Sequence, residues 1–400
     1  MSPTATHQLS EVLTRGVAEI LPSAHTLADL MSQKKIRLYL GIDPTGALLT
    51  LGHSVVLRKL QQFAELGHQV ILLIGNGTVR IGDPTGRDST RPTLTDQEIQ
   101  DNFKTWKEQS EKILDFSQIE VRYNGDWLDK LTYVDLVKLM AHTTVQQLME
   151  RDMFQDRLKK GLPIHGHEII YPLLQGYDSV VMDVDLEIGG SDQTFNMMMG
   201  RQLQKAYHNR EKWVLTTPII NGIDGRKMSK SFNNYIALTE NPQDMYGKLM
   251  RIGDDLIIEY LTVLTDEPQA DIDQMSAAIR AGHNPMEFKK KLAKTITTMY
   301  HTPEQARQAE KHFETTIQHK DFPEQMPSIT VTNSPTTVLE LVSQATADLS
   351  HSQLKRLVEQ GGVYLNDQRL TDPHQQLAAR SGDLLKVGKR LFFRIEVAES

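Results

Sequence analysis

The sequence predicts an α/β fold built on a parallel sheet, and three observations carry that expectation. Short β-prone runs recur between residues 36 and 217, each closed by glycine or a polar cluster. Stretches of helical length separate them, which is the βαβ rhythm of a parallel sheet covered by helices. Composition agrees: 39% hydrophobic and 24% charged residues describe a folded chain, and 400 residues are too many for one small core. Two or three domains are expected.

The elements follow in order. Leu9, Val12, Leu13, Val17, Ile20 and Leu21 recur at helical spacing around Glu11 and Glu19, which predicts an amphipathic surface helix. Residues 36–40 form a β-prone run that ends at Gly41, and the turn Asp43-Pro44-Thr45-Gly46 leads to a helix over about 52–66. A second run, 70–74, again ends in glycine, completing one βαβ unit. Residues 119–123 and 184–188 are further strands, and the latter runs into Gly189-Gly190-Ser191-Asp192. There Ser191 or Asp192 is expected to cap a helix reaching about residue 207. A last strand, 214–217, precedes Pro218. Ligands of such sheets lie at the carboxyl ends of the strands, where these polar clusters fall.

Beyond about residue 235 helical signals take over. Asn284-Pro285-Met286-Glu287 combines a cap, a proline at the first helical position and an acid in the first turn. Residues 322–337 are rich in Pro, Ser and Thr without periodicity and read as a linker. A compact α+β tail follows and ends in an apolar strand over about 391–397.

Several classes are excluded. The chain has no cysteine, so disulfides, thiolate zinc sites and a cysteine nucleophile are all absent. No basic region followed by an apolar stretch marks a secretory signal, and apolar runs such as 70–74 are far too short to span a bilayer. A cytoplasmic protein without a membrane partner is expected. Net charge is −7, yet residues 350–394 hold eight Lys/Arg against four Asp/Glu. A basic tail on an acidic body fits one small module that meets RNA or another polyanion, although charge alone fits an ordinary fluctuation equally well.

Two clusters carry chemistry. In the first, Asp43-Pro44-Thr45 and Thr50-Leu51-Gly52-His53 surround a helix start. Unpaired N–H groups and the positive dipole end favour a phosphate there. Gly52 lets a ring or ribose approach the backbone, and His53 can donate to developing phosphate charge. In the second, Gly225-Arg226-Lys227-Met228-Ser229-Lys230-Ser231 places two lysines three apart in a glycine-led loop, as a mobile clamp on polyphosphate requires. His165 and His167 have no third ligand partner in sequence and are read as structural.

The run from Lys227 to Ser231 matches letter for letter the KMSKS signature of class I aminoacyl-tRNA synthetases, and Thr50 to His53 resembles their HIGH signature. Thr50 stands where the first histidine is usual, so weaker contact with the terminal phosphates is expected, without loss of activity. Among these enzymes the bacterial tyrosine family is the one resembled. Tyr39 precedes Gly41-Ile42-Asp43-Pro44-Thr45 as it does there, and the Tyr171 to Asp178 stretch is similar to the helix lining their side-chain pocket. Gly189-Gly190-Ser191-Asp192-Gln193 is similar to their ribose-binding turn. Gly82-Asp83-Pro84-Thr85-Gly86 is similar to a phosphate-side loop, with Arg87 and Arg91 at its basic positions. Read singly, Tyr171 and Tyr177 are equally core residues, Asp178 and Asn124 caps, and Asp83-Pro84 a plain turn. Their joint order favours the pocket.

The resemblance implies the following sites. Gly41, Asp43, Gly52, His53, Gly190, Asp192, Met228 and Lys230 bind ATP, and Tyr39, Asp83, Asn124, Tyr171, Gln175, Asp178 and Gln193 bind tyrosine. Thr45, Thr50, His53, Arg87, Arg91, Lys227 and Lys230 stabilise the transferring phosphates, with Mg²⁺ on those phosphates and no metal held by the protein alone. Tyr39 and Asp178 pair the phenol, while Tyr171, Gln175 and Asp83 offer oxygens to the ammonium. The tail around Leu354-Lys355-Arg356 and Gly361-Gly362-Val363 resembles a small ribosomal-protein RNA-binding fold, so Lys355 and Arg356 are its expected tRNA contacts.

The implied architecture is a Rossmann-like nucleotide-binding catalytic domain over 1–235 with a helical insertion for dimer contact. It is followed by an α-helical domain over 236–325 on the anticodon side, a linker over 326–336 and the RNA-binding domain over 337–400. The implied assembly is a homodimer. Two alternatives stay open: the tryptophan enzyme of the same class, and a non-catalytic RNA-binding protein on this scaffold.

Overall fold

In the computed structural model the described residues are 3–85, 94–315, 326–331, 335–346, 349–366, 368–388 and 391–397. The chain divides into two compact units, Met1–Ala306 and Arg307–Ser400.

The first unit is built on a six-stranded sheet. Its strands are Glu19–Leu21 (β1), Arg37–Ile42 (β2), Gln69–Ile74 (β3), Ile119–Tyr123 (β4), Leu186–Gly190 (β5) and Trp213–Thr217 (β6). The order is β1-β6-β5-β2-β3-β4, parallel throughout except for β1, which pairs antiparallel with β6. The five residues after Gln69 in β3 are all buried, which is why Val-Ile-Leu-Leu-Ile reads as a continuous apolar run: helices cover both faces. From β2 the chain adds strands outward on one side through β3 and β4, then returns to β5 on the other. The reversal leaves a crevice beyond the carboxyl ends of β2 and β5, the usual place for a ligand.

In the first unit the predicted strands and helices fall close to the observed ones, with two corrections. The amphipathic pattern of the N-terminus does not make one helix. A helix covers Pro3–Thr14, while Ile20 and Leu21 lie in β1. Here pairing of Glu19, Ile20 and Leu21 with Thr216, Leu215 and Val214 competes with helical spacing and wins. Neither Ser191 nor Asp192 caps the next helix either. Ser191–Gln193 form a 3₁₀ turn and the helix proper is Thr194–His208, with the Thr194 hydroxyl donating to the Ser191 carbonyl at 2.8 Å. Asn284 does cap Pro285–Tyr300, accepting from the Met286 N–H at 3.0 Å.

The second unit carries its own core, with Val338, Leu341, Leu354, Val358, Leu385 and Ile395 at its centre. Its main sheet runs Gln368–Leu370, Val363–Leu365, Leu384–Val387, Leu391–Val397, Ser328–Val331. The last of these strands corrects the linker reading of 326–336. Ser328 to Val331 pair parallel with Arg394 to Val397, so alternate burial, not Pro/Ser/Thr content, sets the structure there. Lys355 and Arg356 stand exposed on the helix His351–Glu359, whose start is fixed by Ser350 and Gln353 bonding each other's backbone N–H. The Gln353 amide oxygen serves there as a carboxylate would.

Candidate functional site

A cavity of about 220 Å³ opens in the crevice beyond β2 and β5. Tyr39, Gly41, Asp43, Thr45, His53, Asp83, Asn124, Tyr171, Gln175, Asp178 and Gln193 all line it, so side chains scattered from residue 39 to 193 converge as their order in the sequence implied. Met228, Lys227 and Lys230 come from the loop after β6, and Met228 and Lys230 approach the start of the helix Leu51–Glu65. A β carbon at Gly52 would lie 3.7 Å from Met228 Sδ, and one at Gly46 would lie 3.6 Å from Lys230 Nζ. Lys227 donates to Asp192 at 2.9 Å, just past the end of β5 next to Gly190. Arg87 and Arg91 fall outside the described residues.

The deep end of the cavity is a network of acids satisfied by donors. Asp178, only 2% exposed, accepts from Trp127 Nε1 at 2.8 Å on one oxygen and from Asn124 Nδ2 at 3.1 Å on the other. Burial pushes its carboxyl well above the usual range while both donors pull the other way. Asn124 also donates to Thr78, and Thr78 and the Tyr171 hydroxyl donate to the two oxygens of Asp43 at 2.8 and 2.9 Å. Gly75 makes this possible: a β carbon there would lie 1.9 Å from Asp43 Oδ1. Asp83 accepts from the Thr85 backbone and hydroxyl and from Gln193 Nε2 at 2.8 Å, an Asx turn that fixes its loop. The Tyr39 hydroxyl lies 2.9 Å from Ser179 Oγ, and its ring belongs to the apolar wall.

The other end is cationic and donor-rich. His53 sits in the first turn of its helix, and its Nδ1 accepts from the Thr50 N–H at 3.1 Å with the Thr50 hydroxyl 2.8 Å away. Burial first, and the Lys230 charge second, lower its pKa to about 4. The ring is therefore neutral at pH 7, and because Nδ1 is an acceptor, Nε2 carries the hydrogen. Thr50 is buried and its hydroxyl engages His53, so it orients the histidine where the first residue of the signature would otherwise reach phosphate. Asn102, Trp106 and Gln109 on the helix Asp96–Ser110 bond the backbone of Pro44, Gly46 and Ala47, holding the segment that leads from Thr45 to Thr50.

Sequence reasoning missed Glu187, Lys212, Trp127 and Thr78. Glu187 did leave a signal, since an acid inside a strand flanked by Leu and Ile is out of place unless paired. Trp127 and Thr78 left none, because their roles depend on long-range contacts. Among the described residues no group of three His, Asp or Glu side chains could hold a metal, and no helix is long and apolar enough to cross a membrane.

A nucleotide-type sheet, a helix start carrying Gly-His and a two-lysine loop docked on it are the parts of a class I synthetase. The family model for class I tRNA synthetases (W and Y) matches residues 31–318. Tyrosine–tRNA ligase of Thermotoga maritima is 43% identical over 98% of both chains, and that of Cupriavidus pinatubonensis is 42% identical over all of this chain and 97% of its own. This chain belongs to the tyrosine–tRNA ligase family of that class. The fold is shared more widely. A tyrosyl-tRNA synthetase from Archaeoglobus fulgidus, solved with L-tyrosine, superposes with a TM-score of 0.63 at 24% identity, covering 76% of this chain and 99% of that one. A tryptophanyl-tRNA synthetase from Plasmodium falciparum superposes at 0.58 with 14% identity, covering 78% and 89%. Backbone shape therefore does not separate the two amino acids; pocket residues must.

Proposed function

We propose that the cavity activates L-tyrosine with ATP and that the enzyme then passes the tyrosyl group to the 3′-terminal ribose of its tRNA. The observation that carries this reading is the clamped Asp178, a buried acceptor at the closed end of a cavity whose open end carries His53. A phenol O–H gives such an acceptor a donor at the para position, which a benzyl ring lacks; an indole offers only an N–H on a wider, differently shaped ring.

The tyrosine ammonium is placed against Asp83, Tyr171 and Gln175, and its carboxylate, already ionised, attacks the α-phosphorus of ATP in line. No general base is required, so catalysis is positioning and charge stabilisation. Gly41, Gly52, Gly190 and Asp192 seat the nucleoside, and Asp43 holds Tyr171 and Thr78 beside it. His53 Nε2–H, Thr45, Lys227 and Lys230 meet the departing pyrophosphate, together with Arg87 and Arg91. Mg²⁺ would be held chiefly by the phosphates and water, so the protein need supply no dedicated cage. When bound it neutralises phosphate charge.

The active assembly is read as a cytoplasmic homodimer. Tyr133, Val137 and Met140 stand exposed in one stripe of the helix Tyr133–Met140, whose opposite side buries Leu139. Tyr133 is 80% exposed, and such a face is covered by a second copy of the insertion. Val137→Glu should sediment at monomer mass, and an unchanged dimer would remove this face from the interface.

Domain roles follow the same reading, with residues 236–325 on the anticodon side and the tail binding tRNA through Lys355 and Arg356. The test is amino-acid-dependent exchange of labelled pyrophosphate into ATP, offering tyrosine, phenylalanine and tryptophan separately. Exchange with tyrosine alone is expected, and exchange with tryptophan would overturn the pocket. In the same preparations, reversing Lys355 and Arg356 to glutamate should spare exchange and lower tRNA charging about tenfold, as loss of phosphate contacts does. Equal charging would free the tail of that role.

A further inference from the structure

Behind the amino-acid wall of the cavity lies an ion pair that the reaction as described does not use. Glu187, the second residue of β5, is 1% exposed, and Lys212, the residue before β6, is fully buried. Lys212 Nζ donates to Glu187 Oε2 and, at 3.1 Å, to the Met197 carbonyl. It also lies 5.8 Å from the centre of the Tyr39 ring. Tyr39, Met197 and Glu187 all line the cavity, so Lys212 braces its wall from outside without entering it. The room for the ammonium is made by a glycine: a β carbon at Gly200 would lie 2.4 Å from Lys212 Nζ.

The other oxygen of Glu187 faces the site. Gln175 Nε2 donates to Glu187 Oε1 at 3.0 Å, which leaves Gln175 Oε1 as the acceptor for a ligand. We propose that Lys212 is a positioning residue of the amino-acid site: by donating to Glu187 Oε2 it holds the carboxylate whose Oε1 fixes the Gln175 amide with its oxygen toward the substrate ammonium. The inference rests on the reading that Gln175, with Tyr171 and Asp83, receives that ammonium.

The physical argument concerns what happens without the lysine. A buried carboxylate deprived of its cation takes up a proton instead. The charged groups facing Glu187 make this more acute. Asp178 on the helix Gly166–Met182 repels a second negative charge nearby, and Tyr39 on β2 adds none until far above neutrality, because burial pushes its phenol up. The helix Thr194–His208 brings the Met197 carbonyl and Gly200 to this point. A protonated Glu187 presents an O–H where Gln175 now donates, so the amide loses its orientation and the ammonium loses a nearby negative charge.

Equilibrium dialysis of labelled tyrosine against the full-length enzyme, from pH 6.5 to 9, tests this with Lys212→Gln. Tyrosine affinity should fall about tenfold at pH 6.5, roughly one stranded buried hydrogen bond, and recover toward pH 9. Wild type should change only as the α-ammonium of free tyrosine itself deprotonates toward the top of that range, so the variant is read as its ratio to wild type at each pH. Competition by 3-(4-hydroxyphenyl)propionate, which lacks the ammonium, should be unaffected, a pattern that loss of packing alone does not produce. Adding Glu187→Gln should abolish the pH dependence and leave a several-fold loss. Tyrosine binding by Lys212→Gln that matches wild type at every pH overturns the proposal, as does an equal loss for tyrosine and the propionate. Gln175→Ala separates the two readings. If it leaves tyrosine affinity intact, the ammonium site itself is misplaced; if it weakens binding while Lys212→Gln does not, only the role of Lys212 fails. Should Lys212→Gln not fold, Lys212→Gln/Glu187→Gln, which strands no charge, decides: weaker, pH-flat binding supports the proposal and unchanged affinity overturns it.

Discussion

Lys230→Ala is expected to lower the turnover of tyrosine-dependent pyrophosphate exchange by about 10²–10³-fold while tyrosine affinity stays within a factor of two or so. Losing one donor aimed at charge that develops in the transition state removes on the order of 3–4 kcal/mol. The geometry says why the two quantities separate. Lys230 reaches the loop at Gly46 from outside the cavity, whereas Asp178, Gln175 and Tyr171 hold the amino acid from within. In the free chain Lys230 is exposed, so water screens it; its effect grows when ATP fills the crevice and excludes that water. A second consequence is measurable. Lys230 is the smaller of two causes that lower the His53 pKa, so its removal should raise that value from about 4 while burial still keeps the ring neutral at pH 7. Exchange by the variant should therefore begin to fall at a higher pH on the acid side than in wild type. Turnover and tyrosine affinity that both change less than about fivefold would remove Lys230 from the phosphate clamp.

How much of this was legible in the sequence depends on the range of the interactions involved. Strands β3 and β4 were readable to within a residue because their apolar runs are bounded by glycine and polar clusters, local signals that tertiary contacts had no reason to override. The N-terminal strand was not, since nothing in Glu19-Ile20-Leu21 announces the edge of β6 that it pairs with. The tail strand Ser328–Val331 was hidden the same way: its partner lies more than sixty residues further along the chain. Family resemblance located the cavity residues, yet it did not assign their partners. Thr50 illustrates the difference. The sequence marked a departure at a phosphate position, and the structure gives the hydroxyl another task, orienting His53. Lys212 was invisible for a related reason. A lone lysine before a strand reads as a solvated end, and only the topology that lays β6 beside β5 turns it inward onto Glu187.

Asp178→Ala should lower kcat/KM for tyrosine by about a hundredfold or more and, in the same step, narrow the preference for tyrosine over phenylalanine. Two separate effects act on tyrosine. Its hydroxyl loses an acceptor, and the Asn124 and Trp127 donors that met the carboxylate are left buried without one, each costing about 1–3 kcal/mol. Phenylalanine fares differently. In the wild-type cavity it is disfavoured because filling the closed end without a hydroxyl strands polar groups there and excludes the water that would satisfy them. With the carboxylate gone much of that penalty is already present in the empty site, so phenylalanine loses less than tyrosine does. Asp178→Asn is the companion variant, preserving shape and volume. Its amide has one oxygen for two donors and turns an N–H toward Trp127 or Asn124, so it should also discriminate poorly while folding as wild type does. Exchange rates with the two amino acids, measured on preparations with matched thermal unfolding, give the ratio directly. Wild-type discrimination retained in both variants would mean that the phenol is recognised elsewhere, with the Tyr39 hydroxyl a candidate in the same wall. Discrimination lost in alanine and kept in asparagine would place recognition in the shape of the closed end, not in its charge.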